Sequence, residues 1–394
     1  MDAFPVVTAL ARTSFSTAER STARERLAQN TDWHGFVGLA KFHNVVPLVY
    51  SGVRAVGGED VVPAEALQTL AGLSRAVACE NMMIAGELAA ILRETSVRDI
   101  EVMPMRGVAL AAWLYGDVNL RMFGDIDILV RRRDLLEAKA ALTTVGVHPK
   151  TAYEGAALRK LIRTDCEWHF ESPGGTHVEL HWRIFQPKLR FAVFERRVFD
   201  RSIERHFMGQ SVRCFSTTDL AIMMAIHHGG KHRWSELRHV CDFAELMRSG
   251  DLDWDDLVAS ARRTGSLRYI LVGLSVVRRT LGNEIPQELG DVFRRDPIAE
   301  EYGRDLACRL AGGRSWLIGM SPVIYYMRNR NRFTDRLRYA PWLVSWGFVS
   351  IFKPTDKELR YVSLPPALRF LLVPLRLARL TVKYLGFRRR SYES

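Results

Sequence analysis

Apolar side chains recur at helical spacing through residues 19–96. Trp33, Phe36, Val37 and Ala40 share one stripe, and after Pro63 a second runs through Leu70, Leu73, Val77, Ile84, Leu88 and Ile91. Near residue 99 the period changes. Residues 99–105 read as a short strand, Arg106-Gly107 breaks it, and residues 108–117 have helix-forming composition ending in a Gly116-Asp117 turn. In residues 123–130, Asp125 and Asp127 alternate with Ile126 and Ile128, so a strand places both carboxylates on one face and both isoleucines on the other. Residues 133–145 predict an amphipathic helix stopped by Gly146. A hairpin follows, with Pro173-Gly174-Gly175 as its turn. In its second strand Val178, Leu180 and Trp182 face one way, while His177, Glu179 and His181 face the other. From 217 to 310 the pattern is helical again, with caps at Ser216 or Thr217 and at Asp253. This order predicts an α+β chain in which a small mixed sheet, residues 98–190, lies between helical regions at 1–97 and 191–320, with a last segment at 321–394.

Composition narrows the class. With 394 residues, 47% of them hydrophobic and 25% charged, the chain has enough apolar content for two or three globular units, which excludes disordered and collagen-like proteins. Five scattered cysteines without a CxxC pair point to a reducing compartment, and a cytoplasmic location is expected. The net charge of +12 is uneven. Residues 328–390 hold 15 Lys or Arg against 3 Asp or Glu, so the rest is neutral and charge alone does not mark the whole chain as a nucleic-acid binder. The sequence opens without a basic, apolar secretory signature, and its longest uncharged apolar run, 339–352, falls short of the roughly 20 residues of a spanning helix.

The sharpest chemical pattern is Gly124-Asp125-Ile126-Asp127 with Glu179 on a later strand. Three carboxylates on neighbouring strands raise each other's pKa and are costly to hold together unless divalent cations neutralise them. Two magnesium ions would do so, since magnesium accepts a few carboxylates together with phosphate oxygens and water. A lone DxD at a solvated strand end is the plainer alternative. Arg106-Gly107 adds weight to the chemical reading. It sits between a strand and a helix start, where glycine lets a phosphate approach backbone N–H groups and arginine adds a charged contact.

Residues 105–146, MRGVALAAWLYGDVNLRMFGDIDILVRRRDLLEAKAALTTVG, resemble the core of the uncharacterised nucleotidyltransferase family of bacteria, a branch of the DNA polymerase β-like nucleotidyltransferases. The family pattern is a glycine turn, a helix ending in Tyr-Gly or Tyr-Pro and Asp, an arginine, a DxD strand and a third carboxylate. Here Arg106-Gly107, Tyr115-Gly116-Asp117, Arg121, Asp125, Asp127 and Glu179 hold those places. The flanks resemble the family's helical halves across most of residues 30–385. Three departures stand out. Val108 follows Gly107 where many superfamily members carry Ser, Arg106 replaces the branch's usual Lys, and the spacing from Gly107 to Asp125 is longer than the superfamily's. The resemblance implies a magnesium-dependent transfer of an NMP from an NTP, ATP first among them, to a hydroxyl on a small molecule, a protein or an RNA end. Asp125, Asp127 and Glu179 would be catalytic and metal-binding, and Arg106, Gly107 and Gly124 would bind the nucleotide. The alternatives are a non-catalytic nucleotide- or RNA-binding module of the same fold and a toxin-like RNA nucleotidyltransferase.

Further along, Lys231, Ser235, Arg238 and Asp242 are spaced for one helix face. By resemblance to abortive-infection nucleotidyltransferase toxins, Lys231 would hold phosphates and Asp242 would orient it, against the alternative of a salt-bridged surface face. His181, beside Glu179, reads either as an active-site partner or as a packed sheet histidine. His227, His228, His232, His239 and Cys241 lack a third zinc ligand at a recognised spacing. The basic segment at 369–390 alternates apolar residues with arginine. It would either contact an anionic membrane or RNA, or pack as a closing helix with solvated arginines.

Overall fold

The computed structural model describes residues 3–344 apart from positions 190, 338 and 343. The chain divides into two compact units, Met1–Gly319 and Met320–Ser394. The basic segment at 369–390 lies outside the described residues, as does most of the apolar run at 339–352.

The first unit is built on a five-stranded sheet in the order β1-β2-β5-β4-β3. Its strands are β1 (Val102–Pro104), β2 (Asp125–Val130), β3 (His148–Pro149), β4 (Glu167–Glu171) and β5 (His177–His181). All pairings are antiparallel except β2 with β5, which run parallel with Asp125 opposite His177 and Asp127 opposite Glu179. The expected period of two sets the two faces. Ile126, Ile128 and Val130 of β2, Trp168 and Phe170 of β4, and Val178 and Leu180 of β5 join one buried cluster with Ile84, Leu88 and Ile91 of the helix Ala64–Val97 and with Leu135, Ala138 and Leu142 of the helix Leu135–Thr144. The opposite face carries Asp125, Asp127, Glu167, His169, His177, Glu179 and His181.

The N-terminal stripes fold as the helices Thr17–Ala28, Trp33–Phe42, Val46–Ala55 and Ala64–Val97. The second helical region is arranged around Leu267–Leu281, a helix with buried residues on nearly every side, against which Pro297–Leu310 packs closely. Gly303 permits that approach, because a Cβ there would lie 2.1 Å from Ser275 Oγ. Ser216 and Asp253 cap their helices as expected, accepting from Asp219 N and Asp256 N. The helix Gly155–Thr164 and the hairpin β6 (Ile203–Phe207) with β7 (Gln210–Cys214) go beyond the sequence reading.

One expected helix takes a mixed form and a second is corrected. Residues 108–115 form one α turn, Val108–Leu110, followed by a π turn, Ala111–Tyr115. The expected common face of Lys231, Ser235, Arg238 and Asp242 does not form. A π turn, His227–Lys231, closes the preceding helix, Arg233 and Trp234 take positive φ values of 50° and 51°, and a new helix begins only at Leu237. The Trp234 indole, fully buried against Phe243, holds this break in place.

In the second unit, the described helices are Pro322–Arg328 and Phe333–Leu337, and the rings of Tyr326, Tyr339 and Trp342 pack together beside them. No described helix is long and apolar enough to cross a membrane.

Candidate active site

Parallel pairing of β2 with β5 brings Asp127 and Glu179 side by side on the polar face. Arg106, just past the end of β1, reaches across them. Its Nη2 donates to Asp127 Oδ1 at 2.7 Å, its Nε lies 2.6 Å from Oδ2, and its Nη2 lies 3.6 Å from Glu179 Oε2. Gly107 makes the turn that places it there. Its φ is +69°, and a Cβ would stand 3.1 Å from the Asp125 carbonyl, so a side chain would be strained and would press on the first residue of β2. Gly124, exposed, precedes that residue.

His181 enters the same cluster. Its Nε2 is 3.1 Å from Asp127 Oδ1 and 3.3 Å from Glu179 Oε2, and its Nδ1 is 3.4 Å from Glu167 Oε2. Burial would lower its pKa, yet hydrogen bonding to Asp127, Cys166 and Glu179 and the charge of Asp127 hold it well above the ordinary histidine value. Burial likewise opposes ionisation of Glu179, but His181 and Arg106 keep its carboxyl far below the usual range. Asp125 behaves differently. Burial first, and the charge of Asp127 second, raise its pKa despite Arg106, Arg121 and Arg238. The set therefore carries surplus negative charge that Arg106 and His181 only partly offset.

Asp127, Glu179 and His181 each offer a ligand atom within 4.8 Å of the others, whereas Asp125 stands outside that tight group. Asp127 Oδ2 and Glu179 Oε2 are buried and receive no hydrogen bond, Arg106 Nε being close to the former but off the line of one. Buried carboxylate oxygens without an aligned hydrogen bond, converging with a third carboxylate nearby, fit a divalent cation.

Lys231 is exposed at the end of the π turn, near enough to His227 to depress its pKa, after burial and together with Arg106. His227 in turn lies 2.7 Å from Arg106 Nη1 through its Nε2. Asp242 is elsewhere and makes no ion pair with Lys231 among the described residues. Fully buried, it accepts from Arg121 Nε at 2.8 Å and Nη2 at 2.9 Å and from the Tyr115 hydroxyl at 2.7 Å, with His228 Nε2 at 3.4 Å. Arg121 thereby ties the loop before β2 to the second helical region, and Asn81 fixes the same loop by donating to the carbonyls of Val118 and Arg121. His228, His232 and His239 stack ring on ring, with centroids 4.6–4.9 Å apart. Sequence reading missed Glu167 and His169. The period of two in β4 that buries Trp168 and Phe170 was the available signal.

The model of the family described as uncharacterised nucleotidyltransferase matches residues 29–282, more than half of the chain and all of this site. The chain belongs to the uncharacterised nucleotidyltransferase family. As a member it is a nucleotidyl-transferring enzyme whose acceptor is unidentified, and its α+β core with a small mixed sheet is the architecture described above. Two solved structures are distantly similar to this nucleotidyltransferase. The antibiotic-resistance factor ANT(2'')-Ia is 14% identical with a TM-score of 0.35, covering 46% of this chain and 92% of its own. An antigenic nucleotidyltransferase-like protein from Paracoccidioides brasiliensis is 14% identical with a TM-score of 0.28, covering 55% and 91%. Neither likeness is close enough to bear on substrate. Comparison with curated proteins gave no match.

Proposed function

We propose that this family member is a magnesium-dependent enzyme that transfers an NMP from an NTP, ATP foremost, to an acceptor hydroxyl and releases pyrophosphate. The observation that carries the reading is the pair of buried oxygens on Asp127 and Glu179 that lack an aligned hydrogen bond, adjacent across β2 and β5 and within ligand distance of His181. Asp127 and Glu179, with Asp125 at the start of the same strand, would hold the metal. Once bound, magnesium would supply Lewis-acid stabilisation of the phosphates and a lowered pKa for the attacking hydroxyl.

The chain's own groups divide the remaining work. Arg106 neutralises the carboxylates in the absence of a cation, and when its hold on Asp127 is relaxed its guanidinium is placed to grip the triphosphate. His227, kept neutral by burial and by Arg106, can accept from that guanidinium without adding a competing charge. Lys231 offers an exposed ammonium at the rim. Glu179, faced by His181 and Arg106, would help deprotonate the acceptor. RNA as acceptor drew its support from the basic segment at 369–390, outside the described residues, so hydroxyls of all three classes stay in the proposal. A cytoplasmic setting, where NTPs and magnesium abound, goes with it.

The test is incubation with each labelled NTP and magnesium in the presence of cell extract, comparing wild type with Asp125→Ala/Asp127→Ala. Pyrophosphate release and label transfer should depend on the two aspartates. Equal activity in both proteins would remove the proposal, and binding of NTP without turnover would favour the non-catalytic module.

A further inference from the structure

The polar face of the sheet carries a second convergent set, outside the contacts of Arg106. His169 lies directly opposite Glu179 across β4 and β5, and His177 precedes Glu179 by two residues on the same face. Their donor atoms meet. His169 Nδ1 is 3.1 Å from His177 Nε2, His177 Nε2 is 3.4 Å from Glu179 Oε1, and His169 Nδ1 is 3.7 Å from that oxygen. In a tetrahedral site with metal–ligand distances of about 2.0–2.1 Å, neighbouring ligand atoms stand about 3.3–3.4 Å apart. A triangle with the observed sides has a point about 2.0 Å from all three corners, so the set accommodates such an ion as it stands.

The chemistry differs from that of the inner cluster. Glu179 turns Oε2 toward Asp127, His181 and Arg106, and Oε1 toward the two histidines, so a single carboxylate links both sets. Among the described residues the arginine beside Glu179, Arg106, is nearest to Oε2, and the Oε1 side has only imidazoles. The His169 and His177 side chains are 49% and 33% exposed, which leaves an entry path and room for a fourth ligand. Two imidazoles and one carboxylate suit a first-row transition metal with an open position, whereas magnesium prefers oxygen donors alone. The strands themselves fix the positions of the ligands, which reduces the reorganisation that binding requires.

We infer that His169, His177 and Glu179 form a binding site for a transition-metal dication of the zinc type at the edge of the carboxylate centre, sharing Glu179 with it. The inference does not depend on the transfer reaction, because its readout is metal uptake without NTP.

Untagged full-length protein, stripped with chelator, is titrated with Co2+ and followed by visible absorption, and with Zn2+ in competition with a chromophoric chelator, both in excess magnesium. Wild type should bind one equivalent of Co2+ with the intense absorption of a four- or five-coordinate ion. His169→Ala/His177→Ala should lose that absorption and bind at least tenfold more weakly, while Asp127→Asn, altered only in the inner set, should retain it. Thermal unfolding in chelator checks that the double variant is folded. Persistence of the signal in the double variant, or its loss in Asp127→Asn, overturns the site. Loss of NTP turnover with metal uptake intact would count against the transfer reading alone.

Discussion

Two arginine–aspartate pairs, built almost alike, do opposite jobs in this molecule. Arg121 holds Asp242 through two hydrogen bonds, Tyr115 adds a third, His228 closes the fourth side, and one positive charge meets one negative charge in full burial. Arg106 holds Asp127 equally closely, but Asp125 and Glu179 crowd the same guanidinium, and Asp127 Oδ2 and Glu179 Oε2 keep unused lone pairs. Stoichiometry separates the two. A buried pair with matched charges and saturated acceptors is a strut between two parts of the fold, whereas a pair in which carboxylates outnumber arginines is the arrangement the proposed metal site would need.

The strongest way to break the comparison is to remove one aspartate at a time. Asp242→Ala leaves Arg121 charged and buried without a counter-ion, and should cost about 3–5 kcal/mol of unfolding free energy by denaturant titration. Asp127→Ala should lower nucleotidyl transfer on the order of 10^3-fold, about 4 kcal/mol of barrier, while changing stability by less than about 1 kcal/mol, since Arg106 keeps Glu179 and Asp125 as partners. If both substitutions cost similar stability, the distinction between strut and proposed metal site is lost. Replacing both strut partners, Arg121→Met with Asp242→Leu, should recover at least about half of the loss caused by Asp242→Ala, because no lone buried charge remains.

Acid should act first on the buried histidines of the second helical region, which touch both pairs. Burial lowers the pKa of His227, His228 and His239, and brings His232 down to about 3. Below about pH 6.5 the unfolded chain binds protons that these folded imidazoles refuse, so stability falls as pH drops, by about 1.4 kcal/mol per pH unit for each group. His181, with its raised pKa, gains only above about pH 6.5, before the unfolded chain takes up the same proton, and so offsets none of the four below it. Unfolding midpoints should therefore decline from about pH 6.5 to about pH 5, and a flat profile would refute this account. The smallest effect belongs to the rim. Lys231→Ala should raise KM for the NTP a few-fold, about 1 kcal/mol, with no change in melting temperature.

The comparison also marks the reach of the sequence. Alternation of Asp125 and Asp127 with Ile126 and Ile128, and of His177, Glu179 and His181 with Val178 and Leu180, was enough to assign both faces of the central strands. Periodicity assigns a residue to a face but does not say which element will meet it. Arg121 and Asp242 are 121 positions apart, so each looked like a functional residue until the fold made them partners. Arg106 was legible as a cation beside the carboxylates, but its pairing with Asp127 depends on β1 lying next to β2, which the sequence pattern does not state. The break at residues 232–236 was hidden for a different reason. The stretch contains no proline, and the positive φ values at Arg233 and Trp234 are sustained by burial of the indole, a tertiary effect without a local signature.

The parallel register of β2 and β5 has a consequence for how such a site could change over evolutionary time. Sliding one strand past the other by two residues would leave every apolar side chain on the core face, so the buried cluster would hardly sense it. The polar face would change its composition outright. Slid one way, Asp127 would face His177 and lose Glu179, leaving a carboxylate–imidazole pair; slid the other way, Asp127 would face His181 and Asp125 would replace it opposite Glu179. Which carboxylates and imidazoles stand together in this fold can thus be reset by alignment alone, without substituting a single residue on the two strands.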